Sequence, residues 1–101
     1  MSVTLINPFE IDPENDDRFL ESWKKAADFM KRQPGFIKTN LHRSLSPEAR
    51  FRFVNVAEWE SPQHFMAAVQ SPDFQALAQS APPNFPALYE VVTSQDPLKG
   101  K

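Results

Sequence analysis

Between Phe53 and Gln63 the chain reads Phe-Val-Asn-Val-Ala-Glu-Trp-Glu-Ser-Pro-Gln, a strand-like run that carries an amide and an indole. In extended chain Phe51, Phe53, Asn55, Ala57 and Trp59 share one face, and Arg50, Arg52, Val54, Val56 and Glu58 share the other. Asn55 and Trp59 are therefore co-facial, with Cα atoms roughly 13 Å apart at about 3.3 Å per residue. Only the methyl group of Ala57 stands between them. An indole wall, a small floor and an amide that both donates and accepts hydrogen bonds would suit a flat aromatic molecule. The same pattern also describes a core strand whose Trp packs and whose Asn is a satisfied structural amide. His42 is the candidate base, since an unperturbed imidazole titrates at about 6.5; the alternative is an exposed residue near a hairpin end. Asn7, sharing a face with Val3, Leu5 and Phe9, is a further amide candidate, although Asn7-Pro8 also has strand-end character. His64 lies in a first helical turn and reads as a surface residue.

The elements that must position these groups follow from periodicity and punctuation. Val3 to Ile11 alternates as a strand, with Pro8 marking an edge or an end. Asp12-Pro13 supplies a cap and a first-turn proline, followed by Glu14, Asp16 and Asp17 at the positive end of a helix dipole. The helix has an apolar stripe of Phe19, Leu20, Trp23, Ala26, Ala27 and Met30, and Gln33-Pro34-Gly35 stops it. Phe36 to Arg43 and Arg50 to Glu60 form a predicted hairpin around the polar segment from Ser44 to Ala49. Ser61-Pro62 and Ser71-Pro72 repeat one device, a capping hydroxyl before a proline, and open two short helices. Phe85 to Ser94 is a last strand.

This β-α-β-β-α-β order is a ferredoxin-like split βαβ fold of the α+β class, with helices on one face of a four-stranded antiparallel sheet. A single domain over 1–96 with a disordered tail at 97–101 is expected. Val54, Val56, Leu88 and Val92 would be wet in a monomer, which predicts a homodimer with sheets packed face to face.

Composition removes several classes. The chain has 101 residues, 11 Lys and Arg against 13 Asp and Glu, and its basic residues form no stripe, which argues against nucleic acid as a partner. It has no Cys, so disulfides, thiolate nucleophiles and cysteine-ligated metals are excluded. No window reads as a signal peptide or a membrane span, and a soluble cytoplasmic protein is expected. Nine Phe, two Trp and one Tyr exceed what a minimal core needs, so some are expected to line a cavity.

Gln33-Pro34-Gly35-Phe36, the strand ending Asn55-Val56-Ala57-Glu58-Trp59-Glu60-Ser61, the following Phe65 and the closing Tyr89-Glu90-Val91-Val92 resemble the antibiotic biosynthesis monooxygenase family. Its members are small dimeric α+β barrel proteins, and the resemblance runs from about Val3 to Ser94, within the boundary error of such readings. It implies that Asn55 and Trp59 match catalytic residues of the family's cofactor-free oxygenases, and that His42 matches a His used in one branch. That branch has a Tyr where this chain has Phe65, and an Arg where it has Ala78 or Gln79. A haem-degrading branch of the superfamily uses an Asn matched by Asn7, but its Trp and His positions fall on Ala68 and Ala78, which leaves iron without an axial ligand.

The resemblance thus implies a monooxygenase that needs no cofactor and no metal and oxidises a small aromatic quinol or anthrone-like substrate with O2. Catalytic residues would be Asn55, Trp59 and His42, with Asn7, Phe53, Ala57, Phe65 and Phe74 binding the substrate. The alternatives are a non-catalytic dimeric barrel that binds an aromatic ligand, or a cyclase or isomerase on the same scaffold.

Overall fold

The computed structural model describes residues 2–98. Its elements are β1 (Val3–Phe9), a 3-10 turn (Pro13–Asn15), α1 (Asp16–Met30), β2 (Phe36–Arg43), β3 (Phe53–Trp59), α2 (Pro62–Val69), α3 (Pro72–Ala78) and β4 (Ala87–Tyr89). The strands form one antiparallel sheet in the order β2-β3-β1-β4, the arrangement of a ferredoxin-like α+β fold. The helices cover the face that carries Leu5, Phe9, Phe53, Ala57 and Trp59.

Local chemistry accounts for the boundaries. The Ser61 and Ser71 hydroxyls each accept the N–H three residues on, from His64 and Phe74 at 3.2 Å, and so cap α2 and α3 ahead of their first-turn prolines. Asp12 makes no side-chain cap; Pro13 opens a 3-10 turn that runs directly into α1. Gly35 takes φ 86°, where a side chain is strained, and a Cβ there would collide with the His64 ring. Its carbonyl accepts the Glu60 N–H at 2.8 Å, which ties the turn before β2 to the end of β3.

Arg52 is not a free surface cation. It forks onto Asp16 at the start of α1, with Nη2 to Oδ2 at 2.6 Å and Nε to Oδ1 at 3.0 Å. Both side chains are only 14% exposed. The hydrogen bond from Arg52 holds the Asp16 carboxyl below its usual range, against the opposing effect of burial. This pair clamps one end of α1 over the sheet.

The last strand is shorter than the predicted 85–94. Thr4 pairs with Tyr89, and β1 begins one residue earlier at Val3, so the partner strand runs out just past that point. Residues 90–98 carry no regular structure and are exposed. Leu88 corrects a second expectation: it pairs directly with Leu5 and packs on the buried cluster instead of facing outward with Val54 and Val56. Of the tail expected at 97–101, residues 99–101 lie outside the described residues.

Candidate active site

The core under the helices is split in two. One cluster joins Leu5, Ala57, Trp59 and Ala68; the other joins Phe9, Phe19 and Phe53, whose rings stack or meet edge-on at 4.7 and 4.9 Å. Strand register explains the division. Val3↔Trp59 and Leu5↔Ala57 build the first cluster, Phe9↔Phe53 the second, and the pair between them is Asn7↔Asn55. Two amides thus interrupt the apolar face, and the helices leave space above this pair.

That space is a cavity of about 370 Å³, within the range of small-ligand sites. Its floor is Leu5, Asn7, Thr39, Asn55 and Ala57, with Trp59 and Phe36 at one end. Trp23, Ala26, Ala27 and Met30 of α1 form the roof, and Phe65, Val69, Phe74 and Leu77 of α2 and α3 form a side. Ser22, Gln70, Gln75, Ser80 and Asn84 add polar groups to the lining. Among the described residues no Asp, Glu, His, Lys, Arg or Tyr lines it.

Asn55 is half-buried, and its Oδ1 accepts a hydrogen bond of 2.5 Å from the Thr39 hydroxyl on β2. The amide nitrogen has no hydrogen-bond partner among the described residues and is left as a donor. Asn7 Oδ1 and Trp59 Nε1 are buried without partners among the described residues. Trp59 is 1% exposed and held edge-on by Phe36 at 5.3 Å and Phe65 at 5.7 Å. Its ring therefore acts as an end wall, with the indole N–H closed off by protein atoms.

The chain brings Asn55, Trp59, Asn7, Ala57, Phe65 and Phe74 to this one cavity, and it leaves out Phe53 and His42. Phe53 is 1% exposed and lies beneath the lining, stacked on Phe19. His42 pairs with Val54 and is exposed on the opposite face of the sheet. The cause is a bulge. Phe36 lies across from Trp59 and Lys38 across from Glu58, so Ile37 is an extra residue on β2. Strict alternation from Phe36 would carry Lys38, Asn40 and His42 to the cavity face; the extra residue reverses it and presents Thr39 and Leu41 instead. Thr39 was invisible to the sequence for the same reason, and the roof residue Trp23 was legible only as helix stripe. His64 is also outside the lining, with Nδ1 2.7 Å from the Ser61 hydroxyl.

The sequence pattern of the antibiotic biosynthesis monooxygenase family matches residues 2–80. The chain belongs to this family. A candidate monooxygenase from Shewanella loihica PV-4 is 39% identical over 92% of this chain and 96% of its own, with a TM-score of 0.82. SnoaB, a cofactor-independent oxygenase from Streptomyces nogalater, is 26% identical over 97% of both chains, with a TM-score of 0.77. MhuD of Mycobacterium tuberculosis, a haem degrader with two haems bound in its active site, shares the fold at 24% identity and a TM-score of 0.70, over 93% of this chain and 99% of its own. No curated protein sequence matches the chain. Family membership and the likenesses to the Shewanella protein and SnoaB support a monooxygenase-type function. No helix among the described residues is long and apolar enough to cross a membrane.

Proposed function

We propose that the protein is a cofactor-free monooxygenase acting on a small planar quinol, phenol or anthrone. The observation that carries this reading is that Asn55 and Trp59, four residues apart on β3, border one cavity of about 370 Å³ between the two halves of the core. Asn55 supplies a donor to the oxygen on which negative charge develops. Trp59 is the end wall, and Ala57 leaves the floor low enough for a ring to lie over it.

For an anthrone the reaction balances as CH2 plus O2 giving C=O plus H2O. The ring methylene loses a proton to give the enolate, whose carbanion form passes one electron to O2. Recombination forms a C–O bond and a peroxide. Loss of the second C–H proton then breaks the O–O bond, leaving the carbonyl and water. The substrate supplies all the electrons, so the chain has to bind, orient and stabilise charge.

Among the described residues the lining has no base, and its hydrogen bonds do little to replace one. A hydrogen bond to a charged oxygen contributes about 1.5–3 kcal/mol, whereas desolvating a carboxylate-sized anion costs several kcal/mol. The cavity therefore acidifies its ligand little. Substrates must ionise readily by themselves, with the proton leaving to solvent.

A homodimer belongs to this reading, supported by the exposed apolar side chains Ile37, Tyr89, Val91 and Val92. Haem degradation does not, because the positions where a Trp and an axial His would stand are Ala68 and Ala78. The alternative is a binding protein without turnover, which the missing base favours.

The test is oxygen uptake with anthrones and hydroquinones in metal-free buffer, against autoxidation at the same pH. Wild-type protein is expected to exceed the background, and Asn55→Ala to lower kcat about 100-fold or more with little change in KM, as for loss of an oxyanion donor. Binding of these rings without acceleration would establish the alternative. Equal rates for Asn55→Ala and wild type would remove Asn55 from the chemistry.

A further inference from the structure

The reactive polarity of the cavity floor depends on which end of the Asn55 amide faces inward. A carbonyl oxygen there would repel an enolate; the amide nitrogen would stabilise it. The Asn χ2 torsion is broad and roughly two-fold, so the strand alone does not choose between these orientations. A neighbouring group has to choose.

Thr39 makes that choice. It reaches the cavity face of β2 through the bulge at Ile37, and its hydroxyl donates to Asn55 Oδ1 at 2.5 Å. Thr39 is opposite Ala57 and Asn55 opposite Leu41, so the contact is a diagonal one between adjacent strands. Thr branches at Cβ, which restricts χ1 and holds the hydroxyl in place. On the other side of Asn55, the directly paired Asn7 carries a buried carbonyl oxygen without a partner among the described residues. The side of Asn55 away from Thr39 thus favours a donor. Asn7, Asn55 and Thr39 form one polar row across β1, β3 and β2, and all three line the cavity.

We propose that Thr39 is the positioning residue of the site, pinning the Asn55 carbonyl so that the amide nitrogen is presented to the ligand's oxygen. The catalytic part of this rests on the oxygenase reading above; the orientation of the amide does not.

The experiment compares Thr39→Val, which keeps the branched shape and removes the hydroxyl, with Thr39→Ser, which keeps the hydroxyl. Circular dichroism and thermal melting establish that both are folded. In Thr39→Val the Asn55 oxygen would lie against a methyl group, so it turns toward cavity water and leaves the donor-in orientation in the minority. With a competent fraction near one tenth, kcat for 1,8-dihydroxyanthrone falls about tenfold, while KM stays within about twofold. Thr39→Ser is expected to stay within about threefold of wild type.

The second readout is the Asn55 side-chain amide signal in a 1H–15N spectrum, identified by its absence from Asn55→Ala. It should be a sharp pair in wild type and Thr39→Ser, and shifted or broadened in Thr39→Val. An unchanged amide pair in Thr39→Val, wild-type kcat in that variant, or a Ser variant as slow as Val would each overturn the assignment. If the wild-type protein does not accelerate oxidation, the oxygenase reading falls, and the amide signals alone decide the role of Thr39.

Discussion

Trp59→Phe separates a wall from a catalytic donor, and the structure sets its expected cost. The change removes the indole nitrogen and a net two carbons from a side chain that is 1% exposed. At about 0.8 kcal/mol per buried methylene, the lost burial amounts to about 1.6 kcal/mol. Against this, the indole Nε1 is buried without a partner among the described residues. An unsatisfied buried donor costs about 1–3 kcal/mol, and Phe has none. The two effects nearly cancel, and a Phe ring at this position keeps aromatic neighbours in Phe36 and Phe65. Trp59→Phe is therefore expected to change stability by less than about 1.5 kcal/mol.

Trp59→Ala is a different perturbation, losing about 3–5 kcal/mol from the vacated core, the contacts with Phe36 and Phe65 included. That approaches the total stability of a small domain, roughly 5–15 kcal/mol, so inactivity of the Ala variant would report unfolding. The assay is urea denaturation together with kcat and KM for the same anthrone. Because the N–H is closed off from the cavity, kcat of Trp59→Phe should stay within about threefold of wild type. A fall of about 100-fold in a folded Trp59→Phe protein would refute this reasoning and make the indole N–H a participant in the chemistry.

With no ionisable side chain in the lining among the described residues, the rising limb of the pH–rate profile should follow the substrate. Two anthrones whose pKa values differ should show limbs displaced by that difference; one common inflection would point to a protein base. Asp16 is held below its usual value of 3.8 by the Arg52 hydrogen bond, so its contribution to stability is present above that value and disappears as pH falls through the lowered one. Asp16→Asn should therefore melt below wild type at neutral pH, with the gap beginning to close below 3.8 and closing fully only in acid beneath the lowered value; a gap that persists in that stronger acid would assign the loss to packing. Light scattering at micromolar concentration should give a dimeric mass, whereas a monomer that binds no hydrophobic dye would show that Tyr89, Val91 and Val92 need no cover.

The face assignment of β3 was legible in the sequence because alternation is a local property of extended chain. Phe53, Asn55, Ala57 and Trp59 had to point one way once the segment was a strand, and Ser61-Pro62 and Ser71-Pro72 had to start helices because their capping chemistry is local. The cavity was partly legible too, since Asn7 and Asn55 are amides on otherwise apolar faces. Their direct pairing belongs to the β1–β3 register, which depends on which residues meet across strands far apart in sequence. Tertiary structure alone decided β2. One extra residue at Ile37 inverts the alternation after Phe36, sends His42 outward and turns Thr39 onto Asn55. Nothing in Phe36-Ile37-Lys38 marks that bulge, because Phe36 packs edge-on against Trp59 while the downstream residues keep to their ladder with β3. Leu88 faces inward for a similar reason: its side is fixed by pairing with Leu5, a contact between the two ends of the chain that no local pattern encodes.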